Sequence, residues 1–139
     1  MKHTALKILA LLAIGSVTMH AQLSRGVIAK VPFDFVAGHK SFPAGEYRIT
    51  SGPARAVITI RSLDGKTGAF AMTQGTESAK AHPQSSLVFN RYGNQYFLKQ
   101  VLVQGEPSGV ELPKTPAELE AEARGSLART SVTASVNRR

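Results

Sequence analysis

Residues Ser85 to Val103 read SSLVFNRYGNQYFLKQVLV, and this stretch decides the fold because it contains a complete two-stranded unit. Gly93-Asn94 suits a two-residue turn, since both residues accept a positive φ, and β-branched and aromatic residues flank it on either side. The pattern therefore predicts an antiparallel hairpin centred on this turn.

The register of the hairpin follows by counting outward from the turn, which pairs Phe89 with Leu98 and Leu87 with Gln100. The face predicted to join the core carries Leu87, Phe89, Tyr96 and Leu98. The opposite face carries Val88, Asn90, Tyr92, Phe97, Lys99 and Val101. That second face is too apolar for full solvation, so we expect the C-terminal helix, a second sheet or a partner to cover part of it.

Alternating segments upstream of the hairpin predict further strands. Residues 26–37 alternate apolar and polar side chains, and Pro32 within them places this strand at a sheet edge or a bulge, because proline cannot donate to a ladder. In the strand 46–50 we expect Tyr47 and Ile49 to point inward. Another strand is expected over residues 56–62.

Asp64-Gly65 predicts a second hairpin, for which two registers are open. A strict two-residue turn places Phe70 and Met72 opposite Ile58 and Ile60, whereas a three-residue loop that pairs Ser62 with Lys66 places all four on one side. We prefer the second register because it gives a single hydrophobic face. Residues 74–85, which follow, are polar and show no period, so they are expected to form a long loop. Loops of this kind often carry function, and the alternative is a mobile crossover with no role.

The C-terminal part of the chain changes in character after Val103. Thr115, Pro116 and Glu118 supply a capping residue, a proline at the first helical position and a glutamate three residues after the cap, which predict a helix within residues 114–129. Leu119, Ala123 and Leu127 form a narrow stripe with which this helix is expected to dock. Residues 130–139 are small, polar and basic, which predicts a disordered tail.

The N-terminal segment, residues 1–21, has the layout of a secretory signal peptide, with two lysines, an apolar run and a polar end. Cleavage is expected between Ala21 and Gln22, and the alternative is an uncleaved N-terminal anchor. We therefore expect an exported protein, periplasmic or extracellular, with no transmembrane segment after cleavage. Residues 22–113 are then expected to form a single β-domain.

Composition removes several chemistries from consideration. The chain has no cysteine, so disulfides, thiolate metal sites and cysteine nucleophiles are excluded. The formal net charge is +8, but the basic residues are scattered and the protein is expected to be exported, so we do not expect it to bind nucleic acid. His39 and His82 lie in separate loops without a nearby ligand, and we expect neither a metal nor a cofactor.

Two stretches, VPFDFVAGHKSFPAGEY (Val31 to Tyr47) and LVFNRYGNQYFL (Leu87 to Leu98), stand between the signal-like segment and an LPKT sequence that leads into the predicted helix. In this order the chain resembles a family of small exported bacterial proteins of unknown function, over nearly all of its length after the signal. The resemblance implies export and an all-β domain. It implies no activity and no role for any residue.

Two groups of residues are candidate sites. Arg91, Tyr92 and Tyr96 at the hairpin tip could stack on a flat ligand or a sugar, although Arg91 packing across Tyr96 as a cross-strand pair is the simpler explanation. Asp34 and Glu46 could approach each other across neighbouring strands, and a pair of carboxylates is what glycoside hydrolysis requires.

These patterns together predict a mainly all-β fold, an antiparallel β-sandwich or a small partly open barrel of about six or seven strands with one C-terminal helix. The expected function is a non-enzymatic binding or structural module of the cell envelope, with an unknown envelope or extracellular partner. Alternatives are a carrier that holds a small apolar ligand inside its barrel, and a hydrolase that uses Asp34 and Glu46. The sequence does not specify the oligomeric state.

Overall fold

A computed structural model describes residues 26–137, in which all the strands belong to one eleven-stranded sheet that is nearly closed into a barrel. The strands are β1 (Gly26–Val31), β2 (Phe35–Ala37), β3 (Lys40–Phe42), β4 (Gly45–Ser51), β5 (Val57–Ser62), β6 (Gly68–Met72), β7 (Gln74–Glu77), β8 (Ser85–Tyr92), β9 (Gln95–Leu102), β10 (Ser108–Glu111) and β11 (Leu127–Asn137). The helix α1 spans Pro116–Arg124, and a 3-10 turn spans Pro53–Arg55. The expected mainly-β fold with one C-terminal helix is confirmed, although the strands outnumber the expected six or seven.

The sheet closes along only part of its height. The order β9-β8-β11-β1-β4-β5-β6 runs around the barrel, and after Thr73 the chain continues from β6 into β7, which pairs with β10, which in turn pairs with β9. Elsewhere the β2-β3 hairpin branches from β9 through the parallel contact of Val36 with Phe97. No pairing joins β3 to β6 in the described chain, and we call this opening between them the seam.

The barrel interior is filled by side chains. Phe35 packs at its centre, with its ring centroid 5.2 Å from that of Phe42, 5.2 Å from that of Tyr47 and 5.4 Å from that of Phe89. All four rings are at most 2% exposed. Burial of each such side chain is worth about 1.5–3 kcal/mol, so this aromatic cluster is a main source of stability. The inward orientation predicted for Tyr47 is confirmed.

The β8-β9 hairpin has the predicted register near its turn, where Arg91 pairs with Tyr96 and Phe89 with Leu98. A bulge between Val88 and Phe89 then shifts the pairing, so Leu87 lies opposite Val101 rather than Gln100. Lys99 is the extra residue on β9, and a single extra residue reverses the face of everything beyond it. Val101 is therefore buried in the core, and its assignment to the opposite face was wrong.

Pro32 interrupts the strand predicted over residues 26–37. Strand β1 ends at Val31 and β2 begins at Phe35, so the segment supplies two short strands in different parts of the sheet. Because proline has no N–H to offer and fixes its own φ, the ladder stops there. The Asp34 side chain accepts a hydrogen bond from the N–H of Ala44 at 2.8 Å and stabilises the resulting bend.

The preferred register of the β5-β6 hairpin was wrong. Arg61 pairs with Gly68 and Ser62 donates its N–H to the carbonyl of Thr67, so the face assignment is that of the strict two-residue turn. The Asp64 carboxylate stabilises this loop by accepting hydrogen bonds from the Ser62 hydroxyl and the Lys66 N–H. Local turn hydrogen bonds thus outweigh the preference for a single apolar face.

The C-terminal boundaries also differ from those expected. The helix occupies Pro116–Arg124 rather than the whole of 114–129, and residues predicted to form a disordered tail lie in β11, between β8 and β1. Backbone pairing holds this segment in the sheet, with β8 as the partner over Leu127 to Ala134 and β1 as the partner over Ala134 to Asn137. Thr130, Val132 and Ala134 are half-buried. The β-domain consequently extends beyond residue 113.

The loop expected over residues 74–85 is shorter than predicted. The expected loop 74–85 begins with β7 and ends where β8 starts, which leaves a shorter irregular stretch between them. The predicted signal peptide and its cleavage between Ala21 and Gln22 lie outside the described residues, so they stay predictions.

Candidate functional site

The second face of the β8-β9 hairpin is covered by α1. Tyr92 and Phe97 pack against Ala121 of the helix, and Val36 borders this small cluster. The helix therefore supplies the cover that the semi-apolar face requires. The predicted docking stripe was wrong, because Leu119 is 53% exposed and the buried helix residues are Glu118 and Ala121.

A buried polar group joins this helix to the sheet. The carboxylate of Glu118, which is 3% exposed, accepts hydrogen bonds from the Asn90 amide at 2.8 Å and from the Tyr92 hydroxyl at 3.2 Å. The amide oxygen of Asn90 has no hydrogen-bond partner among residues 26–137. Burial, followed by the neighbouring charge of Glu118, raises the pKa of Tyr92 above its ordinary value. We call Asn90, Tyr92 and Glu118 the helix latch.

The helix also has the cap that the sequence predicts. The Thr115 hydroxyl accepts a hydrogen bond from the Glu118 N–H at 3.3 Å, and Pro116 occupies the first turn. This cap fixes where α1 begins, and thereby places Glu118 over the sheet. The latch is thus fully explained as a structural contact between α1 and the β8-β9 hairpin.

The candidate ligand cluster at the hairpin tip is divided between the two faces of the sheet. The guanidinium of Arg91 lies 5.4 Å from the ring centroid of Tyr96, and its Nε donates to the carbonyl of Gly93 at 2.7 Å. Phe33 stacks on Tyr96 with their centroids 3.8 Å apart. Tyr92 belongs to the helix latch instead, so the structure brings together two of the three residues and separates the third.

The candidate acidic pair consists of exposed residues with different surroundings. Asp34 accepts the Ala44 N–H described above, and Glu46 lies on β4 opposite Lys30 of β1. His39 is in the turn between β2 and β3, whereas His82 lies in the 78–84 segment and bridges to Gln104. Among residues 26–137 no group of three or more histidine or acidic side chains is placed to hold a metal ion.

A pocket of about 230 Å³ opens at the seam. Its lining is largely apolar and comes from the β2-β3 turn, from β6 and from the segment after β10: Gly38, His39, Lys40, Phe70, Ala71, Met72, Leu112, Pro113 and Thr115. The turn closes tightly on β6, because a Cβ added to Gly38 would stand 3.3 Å from that of Ala71. Lys40 spans the seam and donates from Nζ to the carbonyl of Gly68 at 2.9 Å.

The two most exposed large apolar side chains of the described chain stand at the rim of this pocket. Phe70 is 76% exposed and Met72 is 67% exposed, both on the outer side of β6. Strand β6 pairs only with β5 in the described residues, so it forms an edge of the sheet. We use the term β6 face for Phe70, Met72 and the seam pocket together.

A second pocket, of about 260 Å³, lies between the start of β4 and the β5-β6 turn. It is more polar, with Glu46 and Asp64 among its lining residues. The hydroxyl of Tyr47 at this pocket already donates to the carbonyl of Pro43. Burial, with smaller contributions from the charges of Asp64 and Asp34, raises the pKa of Tyr47 above its ordinary value. A hydroxyl that is both engaged and held in its neutral form is a poor nucleophile.

The β6 face was missed at the level of sequence because it depends on the register of one hairpin. With the preferred register, Phe70 and Met72 would have been core residues. The informative signal was the Asp64 turn with Ser62 before it and Lys66 after it, since these supply the hydrogen bonds that select the observed loop.

No family model, no curated protein and no solved structure matches the chain. Within residues 26–137, none of the helical segments combines the length and the apolar character that crossing a bilayer demands. The candidate site is therefore chosen from the structure alone. The helix latch, Asp34 and Tyr47 take part in contacts that stabilise the fold, and the β6 face is the feature that such contacts explain least.

Proposed function

We propose that the protein is an exported, non-enzymatic module that binds a protein partner of the cell envelope through its β6 face. The observation that carries this proposal is the pair of exposed apolar side chains, Phe70 and Met72, at the rim of an apolar pocket. Monomeric proteins seldom leave contiguous large apolar groups in water, and such patches are typical of interaction surfaces.

The energetics favour a partner at this position. Covering one large side chain such as Phe70 removes apolar area worth about 1.5–3 kcal/mol from water. An aromatic side chain and a methionine beside a pocket are also the residue types that are enriched in interface cores. In contrast, the outer face of the β8-β9 hairpin is already covered by α1 of the same chain.

The size of the pocket favours a protein partner over a small ligand. Its volume of about 230 Å³ is below the range of about 300–1,000 Å³ that is usual for small-molecule sites. Within the described residues the barrel interior is occupied by Phe35, Phe42 and their neighbours, so this packing gives the carrier hypothesis no support. The hydrolase hypothesis gains none either, because Asp34 and Glu46 are exposed and Asp34 stabilises a bend.

Two features of the sequence support export. The first 21 residues have the three-part layout of a secretory signal, and the chain has no cysteine that an oxidising compartment would change. Fractionation of expressing cells tests this part of the proposal: the protein should be found in the periplasm or the medium in a form shortened by about the length of a signal peptide.

Binding is tested by comparing two double variants of matched character. Phe70→Ser with Met72→Ser removes the apolar rim, whereas Leu119→Ser with Leu127→Ser removes two other exposed apolar side chains. After mild cross-linking of the envelope and quantitative mass spectrometry, a partner should be enriched with the wild type and with the control variant but lost from the β6 variant. Equal recovery by all three proteins would contradict the proposal.

A further inference from the structure

We infer that the segment bound at the β6 face is acidic and inserts one apolar side chain into the seam pocket. This inference rests on the proposed function and specifies the chemistry of the partner. Three observations lead to it: the size of the pocket, a row of cations beside it, and the absence of counter-charges for that row within the described chain.

The seam pocket is suited to a single anchoring side chain. Its lining is apolar at Phe70, Ala71 and Leu112, and its volume is too small for most ligands of drug size. Interfaces commonly place one buried aromatic or aliphatic residue in a pocket of this kind and surround it with weaker contacts. Phe70 and Met72 at the rim would then cover the flanks of the inserted side chain.

A row of basic residues crosses the outer surface next to the pocket. Arg48 on β4 lies directly opposite Arg61 on β5, and Arg61 lies opposite Gly68 on β6. The row ends at Lys40, because the Lys40 ammonium reaches the carbonyl of Gly68 from across the seam. Lys40 also lines the pocket, so the row and the pocket are continuous.

The cations of this row lack charge partners within the described chain. The ion pairs of residues 26–137 join other groups: Arg55 with Glu77, Lys99 with Glu111, Lys114 with Glu122 and Arg124 with Glu120. Among neighbouring acidic residues, Glu46 stands two positions before Arg48 on the same strand, and Asp64 accepts hydrogen bonds from its own turn.

Two arginines facing each other across neighbouring strands repel, which lowers the stability of the free protein. Carboxylates on a partner would relieve this repulsion, and they would be steered toward the row before contact. A carboxylate close to the inserted apolar side chain would meet Lys40 first, and one farther along the segment would meet Arg61. Charge complementarity therefore selects an acidic protein segment as the occupant.

Fluorescence anisotropy with labelled peptides and the purified exported protein tests this inference. The probe is the pentapeptide Asp-Glu-Phe-Asp-Glu, and the matched controls replace its centre by Ala or its flanks by Gln. We expect the Ala peptide to bind at least about tenfold more weakly, since it lacks the anchor. The combined change Arg48→Gln with Arg61→Gln should weaken the acidic Phe peptide about three- to tenfold, and added salt should reduce that difference.

The outcomes separate this inference from the proposed function. If the Gln-flanked peptide binds as tightly as the acidic one, the partner is not selected by charge and the inference fails, while the β6 face keeps its proposed role. If the acidic peptide binds equally well to Phe70→Ser with Met72→Ser, the site lies elsewhere and both fail. Binding to vesicles of anionic phospholipid, with no binding of any peptide, would assign the face to a membrane and would overturn the inference.

Discussion

Glu118 is a carboxylate withdrawn from water, and it is stable there because two neighbouring side chains donate hydrogen bonds to it. The Asn90 amide and the Tyr92 hydroxyl face the helix from the outer side of β8, where the two-residue period of the strand places them together. Buried polar groups cost little when they are paired and much when they are not. The latch therefore makes the position of α1 specific.

Replacing Glu118 should be far more damaging than replacing another glutamate of the same helix. Glu118→Ala leaves the Asn90 and Tyr92 donors buried without an acceptor, which should lower the unfolding free energy by about 1–3 kcal/mol or more. Glu120→Ala, at an exposed position, should change it by no more than about 0.5 kcal/mol. Urea unfolding measures both variants, and equal effects would contradict the role of the latch.

Glu111 on β10 provides a pH-dependent contribution to stability. Its hydrogen bond and ion pair with Lys99, the extra residue of the β9 bulge, hold the pKa of Glu111 below its ordinary value of 4.5, although partial burial acts in the opposite direction. A carboxyl with a lowered pKa in the folded state stabilises the protein above its unfolded pKa. That contribution is lost as the pH falls from about 4.5 through the lower pKa of the folded protein.

Acid unfolding of the variant Glu111→Gln tests this contribution. The wild type should lose unfolding free energy below a pH of about 4.5, and Glu111→Gln should show a smaller loss over the same range because it has no carboxyl to protonate. Glu120→Gln, whose ion pair with Arg124 is well exposed, serves as the control and should follow the wild type closely. A wild-type pH profile in Glu111→Gln would show that the pair with Lys99 is unimportant.

At the scale of elements, β11 is the segment on which the sheet depends most unexpectedly. It pairs with β8 from Leu127 to Ala134 and with β1 from Ala134 to Asn137, so it joins the hairpin to the N-terminal strands. Removing it would expose two unpaired strand edges within the sheet and uncover apolar side chains beneath them.

Truncation of the chain after Gly125 should therefore abolish cooperative folding. Circular dichroism and thermal unfolding of the truncated chain should show a loss of the β signal and of the transition, because both neighbours of β11 lose their partner. A chain ending at Asn137 retains all of β11 and should unfold like the full-length protein. A truncated chain that ends at Gly125 and still unfolds cooperatively at the same temperature would contradict the position of β11.

The elements that the sequence predicts well are those with strong local signals. Gly93-Asn94 specified the β8-β9 turn and its nearby pairs, and Thr115 with Pro116 specified the start of α1. The bulge at Lys99 has no comparable local signal, since it is selected by the packing of Val101 into the core and by the pair with Glu111. Tertiary contacts decided the register beyond that point.

The strand β11 was missed because its side chains are small and polar, a composition typical of tails. Its two-residue alternation was nevertheless present: Thr130, Val132 and Ala134 are half-buried, whereas Ser131 and Thr133 are exposed. What stabilises it is backbone pairing to two neighbours, which composition does not reveal. Strand alternation does predict that Arg91 and Tyr96 lie on one face of the sheet and Tyr92 on the other, since adjacent strand residues face opposite sides.

For the whole molecule, the incomplete closure of the barrel is the feature on which the proposed function rests. Strands β7 and β10 complete the sheet over one part of its height, and the β2-β3 hairpin leaves the seam over the rest. The seam places a pocket, two exposed apolar side chains and a basic row on one surface. Core packing explains none of the three, and we therefore propose that a partner binds there.

Site-specific photo-cross-linking tests directly whether a partner protein binds at the β6 face. Phe70 is replaced by p-benzoyl-phenylalanine in one protein, and Leu127, which is exposed on β11, is replaced in the control. On irradiation of intact cells, we expect a discrete cross-linked protein species from position 70 whose yield falls with Arg48→Gln and Arg61→Gln, and no such species from position 127. The same cross-linked pattern from both positions, or none from position 70, would contradict the proposed binding.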